Sequence, residues 1–347
     1  MKNYILPPIL ILFTFFNTIC QNVKFYLPKE KIEYDTIPYM VKDKYFEQAY
    51  KEIEAMFDGR IEYSLKRAQF LTEWAYLEGT LNYAKFSHDI DSIINTLNNF
   101  IDINNFRKYQ TAPNFAVFNY FTKASIMNGN KAFTYDFEDP MGRNDFSKQF
   151  VTKLLRTHTG QCYSLPILYK ILCDGLGGHS ALALAPKHLY IKHLGEDGKW
   201  YNVELTHGGF VRDSWMIETM EINADAIRNG IFLAPLSEKE NIALILTFLA
   251  KAYQQKYNSW DYFINKCCDK ILKVLPTFSD TLVLKFILLQ EQGYAYQAKY
   301  GNLNTPFSEK SYNDFIYVKN KLDYLGYSQI SQTKYLENLK KAYEQNK

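Results

Sequence analysis

Three side chains, in the order Cys162, His188 and Glu204, have the types and spacing to carry out one reaction. A thiolate attacks a carbonyl, an imidazole handles its proton, and a carboxylate orients the imidazole. The nucleophile is the thiolate, so a reactive cysteine needs a setting that lowers its pKa from about 8.5. The run Gly160-Gln161-Cys162-Tyr163-Ser164-Leu165-Pro166 predicts one. Gly160 permits a turn, and Pro166 is tolerated in a first helical turn because its missing N–H would be unpaired there. A helix starting at Cys162 would then aim free N–H groups at the sulfur and at any oxyanion formed beside it. The competing account of Cys162 is a small buried hydrophobe, which is the expectation for Cys173.

His188 opens an alternating run in which Leu189 and Ile191 share one face, and His188, Tyr190 and Lys192 the other. The next run alternates too, with Tyr201, Val203 and Leu205 opposed to Trp200, Asn202, Glu204 and Thr206. An odd-length loop around Glu196 would set His188 directly opposite Glu204, with Cβ atoms about 5 Å apart. Gly198 supplies the left-handed residue that a three-residue hairpin with a bulge needs.

Gly160-x-Cys162 before a helix, His188-x-Tyr190-Ile191 on a strand, and Trp200-x-x-Val203-Glu204-x-Thr206 on the next resemble the transglutaminase-like, papain-like cysteine superfamily. The version here looks most like its bacterial branch, in which such a core is joined to tetratricopeptide-like helices. The resemblance implies Cys162 as nucleophile, His188 as general base and then acid, and Glu204 as orienter. Glu204 stands where most members carry Asp, so either a small backbone retreat keeps the orienting bond or the site is retired. Gln161, Tyr163, Trp200 and His207 are the expected substrate-binding residues. The chemistry needs no cofactor and no metal.

The remaining histidines and acids carry less. His193 is expected on the surface at a strand end, His179 in a loop, and His158 near the mouth of the cleft. Asp136, Glu138 and Asp139 form an acidic loop, read as a solvated turn rather than a cation or substrate site. Cys162 and Cys173 on one helix would lie roughly 16 Å apart, too far for a disulfide. Adjacent Cys267 and Cys268 would point to different helix faces, so free buried thiols are expected.

The elements that must position these residues form an α+β arrangement. Residues 21–113 read as a helical N-terminal region, with apolar spacings of three and four at Phe46, Tyr50, Ile53, Met56, then Leu65, Phe70, Leu71, Trp74, then Ile90, Ile93, Ile94, Leu97. Residues 114–235 form the core: helical runs at Phe115–Ile126, Phe146–Arg156 and Cys162–Gly175, then extended runs at Ala181–Ala185, His188–His193 and Trp200–Thr206. The nucleophile helix is expected to pack on a small antiparallel sheet. Residues 236–347 read as all-helical, with Pro276 between units as in a tetratricopeptide array. The resemblance implies a groove for a peptide or protein partner; a plain helical bundle is the alternative.

Residues 1–20 have the layout of a secretory signal peptide. Lys2 precedes an apolar run from Ile5 to Phe16, and cleavage is expected before Gln21. Acylation of a retained Cys20 is the rival, disfavoured by Ile19 where such signals want a small residue. An exported protein, periplasmic, secreted or envelope-associated, is therefore expected. The net charge of +3 argues against a nucleic-acid partner. Nothing specifies an oligomeric state. The reading is an exported cysteine acyl-transfer enzyme that hydrolyses an amide or peptide bond through a thioester on Cys162. The alternative is an inactive module of the same fold that holds a peptide or envelope partner.

Overall fold

Residues 43–301 and 305–345 are described by a computed structural model. The signal-peptide and Cys20 expectations lie outside these residues. The first helices begin where short polar side chains can satisfy free N–H groups. Asp43 accepts from Tyr45 and Phe46 at the start of α1 (Lys44–Phe57), and Ser64 accepts from Arg67 at the start of α2 (Leu65–Tyr76). Asn82 caps α3 (Tyr83–Ile103) in the same way. Their predicted apolar stripes are largely buried, though Trp74, Ile93 and Ile94 are only partly covered.

The central stretch places α4 (Ala112–Thr122), β1 (Thr134–Tyr135), α5 (Val151–Thr157) and β2 (Thr159–Gly160) ahead of α6 (Ser164–Gly175). A four-stranded antiparallel meander follows: β3 (Ser180–Ala185), β4 (His188–Leu194), β5 (Trp200–Glu204) and β6 (Gly209–Val211). Helix α6 packs on β3 and β4. The fold is α+β, as expected, with differences in detail. The run at Phe146–Arg156 divides into a short 3-10 turn (Phe146–Gln149) and α5. The expected helix at Phe115–Ile126 starts earlier and stops at Thr122, leaving Ile126 exposed. Strand β6 had no alternating pattern to announce it.

Helices α7 (Asp213–Met220) and α8 (Ala224–Arg228) lead to α9 (Glu238–Tyr257), α10 (Tyr262–Val274), α11 (Ser279–Tyr300), α12 (Pro306–Tyr324) and α13 (Gln332–Gln345). Helix α9 starts in a capping box, with the Ser237 and Glu240 side chains each accepting from the other's backbone N–H. It packs on α1 and α2 as well as on α10 and α11. The two outer helical regions therefore touch each other, and the buried apolar residues form one continuous cluster. Among the described residues no helix is long and apolar enough to cross a membrane.

Candidate active site

The segment leading to Cys162 is fastened on both sides. Glu73 of α2 is buried and accepts the N–H groups of Val151 (2.7 Å) and Thr152 (3.0 Å), capping α5 from a distance. The parallel bridge of β1 to β2 pairs Tyr135 with Gly160, and the Asp136 N–H donates to the Gly160 carbonyl at 2.7 Å. Lys153 donates to the Thr159 carbonyl and to the Asp136 carboxylate. A Cβ at 160 would meet Leu154 and Ser164 at 2.8 Å, so both side chains would have to shift to admit one. Helix α6 starts at Ser164, two residues later than expected, so Cys162 sits in the turn just before it.

The hairpin that carries the other two residues differs from the expected register. Gly195 and Lys199 close the loop around Asp197, with Gly198 left-handed at φ 74° as expected. Ile191 pairs with Val203 and Lys192 with Asn202, and one further step puts Glu204 opposite Tyr190. His188 is thus diagonal to Glu204, not directly opposed. Diagonal neighbours are about 7–8 Å apart, a span that favours the longer carboxylate. Glu204 Oε2 lies 2.5 Å from His188 Nε2. Its other oxygen accepts from the Thr206 N–H at 2.8 Å and from the Thr206 hydroxyl. The extra methylene of Glu over Asp is used by this register.

Both partners are buried, with His188 4% and Glu204 1% exposed, while Cys162 is half-buried. Burial opposes charge on each group, and pairing overrides it. Burial would lower His188, but the Glu204 charge and the Cys162 bond raise it to about 10. Burial would raise Glu204, but His188 and Thr206 hold it at about 2. Burial would raise the Cys162 thiol, yet hydrogen bonds from His188 and Tyr335 leave it below the ordinary value. The arrangement favours a thiolate–imidazolium pair. By contrast, burial pushes Cys173 up to about 12.

Two tyrosines absent from the sequence expectation complete the site. Tyr335 of α13 is fully buried, with its hydroxyl 2.9 Å from His188 Nδ1 and within hydrogen-bonding reach of the Cys162 sulfur. Tyr135 lies beside them, its hydroxyl donating to the Pro140 carbonyl at 3.3 Å and interacting electrostatically with Cys162. The spacing of Tyr335, Leu339 and Ala342 is a helical apolar stripe, so burial was readable; the partner was not.

The four expected substrate-binding residues fare differently. Tyr163 points into the core, stacked on Phe248 at 3.8 Å with its hydroxyl donating to Gln69, because α6 begins after it and turns the ring inward. Trp200 is 37% exposed at the far end of β5, four residues from Glu204 and so about 13 Å along the strand. Gln161 is buried, its amide N–H donating to the Asp139 carbonyl while its Oε1 has no partner among the described residues. His207 stands against Trp215 of α7, and after the burial that lowers its pKa, its electrostatic partners include Glu204 and His188. Gln161 and His207 therefore remain beside the triad; Tyr163 and Trp200 do not.

Three lesser expectations are also corrected. His193 is buried, not exposed, with Nε2 at 2.7 Å from the Tyr169 hydroxyl, because α6 covers the face it occupies. His158 stacks on Phe133 at 4.4 Å and bonds the Lys131 carbonyl, which ties it to the β1 side. The acidic loop is solvated only at Glu138: Asp136 is buried and pairs with Lys153, and buried Asp139 accepts the N–H groups of Arg143, Asn144 and Asp145. All four described cysteines are free thiols. Among the described residues no cluster of His, Cys, Asp or Glu has the makings of a metal site.

No protein-family model matches the chain, and no curated protein or solved structure matches it.

Proposed function

We propose that the protein is a cysteine acyl-transfer enzyme of transglutaminase-like type, exported, and acting by hydrolysis on an amide or peptide bond. The observation that carries this reading is the buried His188–Glu204 pair, 2.5 Å between Nε2 and Oε2, beside a thiol held below its ordinary pKa. In the first step the Cys162 sulfur attacks the carbonyl carbon. A C–S bond forms and the carbonyl π pair moves to oxygen. As the C–N bond breaks, the imidazolium of His188 gives its Nδ1 proton to the departing amine, leaving a thioester. Neutral His188 then takes a proton from water as that oxygen attacks the thioester. The C–S bond breaks, the acid is released, and the thiolate–imidazolium pair returns. Glu204 stays ionised throughout and fixes the ring through Nε2. In this reading His207, and Gln161 through an Oε1 unpartnered among the described residues, meet the substrate, a peptide or protein.

The outer helices support the tetratricopeptide-like reading only in part. Helices α9 to α12 each pack on the next, while α9 also joins the N-terminal helices. This helical body would carry any partner.

The test is alkylation of the folded protein with iodoacetamide across roughly pH 4 to 9, in wild type and His188→Ala. We expect Cys162 to react well below the pH of an ordinary thiol and to lose that behaviour without His188. An ordinary thiol profile in wild type would overturn the proposal.

A further inference from the structure

Tyr335 stands where the reaction needs room. Its hydroxyl lies 2.9 Å from His188 Nδ1, the atom that must hand a proton to the leaving amine. The same hydroxyl is in hydrogen-bonding reach of the Cys162 sulfur. The hydroxyl thus holds the imidazole nitrogen that the reaction needs, close enough to the sulfur to act on it electrostatically. The fully buried Tyr335 holds His188 Nδ1, so a leaving amine that is to take that proton must displace its hydroxyl.

The helix that delivers Tyr335 is attached by one seam. Tyr335, Leu339 and Ala342 are buried, whereas Lys334, Glu337, Lys340, Lys341 and Glu344 lie exposed on the rest of α13. Several contacts fasten it. Lys334 pairs with Glu221, and Asn338 donates to the Thr219 carbonyl at 2.6 Å. The Tyr343 ring meets Phe137 at 5.1 Å. These contacts tie α13 to the loop after β1 and to the end of α7.

We propose that α13 is a built-in inhibitory cover, with Tyr335 as a plug that must be withdrawn from beside His188 and Cys162 before a substrate can react. The proposal deepens the thiol-triad reading and rests on it. A tyrosine that served catalysis by positioning the thiol would have to remain in place during attack. A plug would have to leave, so the two roles predict opposite effects of removing it.

The experiment separates access from activation. Iodoacetamide labelling of Cys162 is followed by peptide mapping in the full chain of wild type, Tyr335→Ala and Tyr335→Phe. Above about pH 9 even an ordinary thiol is ionised, so the rate there reports access alone. The profile below that pH, with and without His188→Ala, reports activation. We expect Tyr335→Ala to raise the high-pH rate about a hundredfold, the equivalent of ~3 kcal/mol of lost closed-state packing. Tyr335→Phe, which loses only the hydroxyl, should raise it about tenfold. Equal rates in wild type and Tyr335→Ala would overturn the plug and leave the triad reading standing. A raised rate with an ordinary thiol profile, indifferent to His188, would overturn the triad reading and with it this proposal. Should Tyr335→Ala lose its near-ultraviolet circular dichroism, Lys334→Glu asks the same question. It sets two carboxylates together at Glu221 without touching the core. An unchanged labelling rate in that variant would count against the cover.

Discussion

His188 and His193 share one strand, five residues apart, and so face opposite sides of the sheet. Both are buried, with 4% and 5% exposure. Their proton affinities nevertheless diverge: His188 is raised to about 10, while burial lowers His193 to about 3. The difference lies in what each face offers. Beneath α13, His188 meets the Glu204 carboxylate and a thiol. Beneath α6, His193 meets the neutral Tyr169 hydroxyl. The two thiols repeat the contrast, with Cys162 lowered and Cys173, eleven residues on, raised to about 12. Burial alone silences an ionisable group; burial beside a counter-charge arms it.

The largest expected effect erases the contrast. His188→Ala should slow alkylation of Cys162 at pH 6 by about two orders of magnitude, since the thiol returns toward its ordinary pKa. His193→Ala should leave that rate within about twofold. Equal losses in both variants would mean that the two faces are not chemically distinct.

Next in size is the pair itself. Glu204→Gln keeps the shape and removes the charge, leaving His188 buried without its counter-ion. We expect a loss of about 3–5 kcal/mol in urea unfolding, the usual cost of breaking a buried pair, together with an alkaline shift of the labelling profile. Glu204→Asp keeps the charge but falls short of the diagonal. Its labelling profile should lie between those of wild type and Glu204→Gln. A profile identical to wild type would show that the register does not select the longer acid.

A smaller effect concerns pH and stability. His193 has a folded pKa of about 3, below its unfolded value. Its contribution is therefore present above about pH 6.5 and is lost as pH falls toward 3, at up to ~1.4 kcal/mol per pH unit. His188, being raised, contributes stability below about pH 6.5 that is lost as pH rises through about 10. Over the lower part of that range the loss is offset, because the proton His188 keeps is one Cys162 has given up. Unfolding measured from pH 7 to 4 should accordingly show a slope that His193→Gln flattens and Cys173→Ala does not.

The smallest effect tests a corrected expectation. Tyr163→Phe removes the bond to Gln69 and should cost about 1 kcal/mol while leaving Cys162 labelling unchanged. A marked loss of labelling would return Tyr163 to the cleft.

The ingredients of the triad could be read from the chain because each lies in a local pattern. Gly160 and Pro166 bracket the turn and helix, and alternation fixed the faces of His188 and Glu204. What alternation leaves open is where a loop is centred. Moving the centre from Glu196 to Asp197 preserves every face and shifts every partner by two. His193 was misjudged for a related reason, since proximity to a loop says nothing about a helix packing over it. Tyr163 failed because the helix starts at Ser164, so its ring points into the core. Tyr335 lay beyond reach for another reason. It meets His188 across 147 residues of chain, and no local period encodes such a contact.

The diagonal placement of Glu204 has a consequence for how such a site could diverge. Acid length and strand register form a single inherited unit here. A shortening to Asp is tolerated only if the hairpin also slides by two residues, which keeps all faces but exchanges every cross-strand partner. A slide of one would turn Glu204 to the α6 side of the sheet, away from His188. Each change alone weakens the orienting bond, so a lineage passing between the two acids crosses a stage in which the histidine is held less firmly. The site is therefore expected to keep its glutamate wherever this hairpin keeps its loop length, and to change both together when it changes at all.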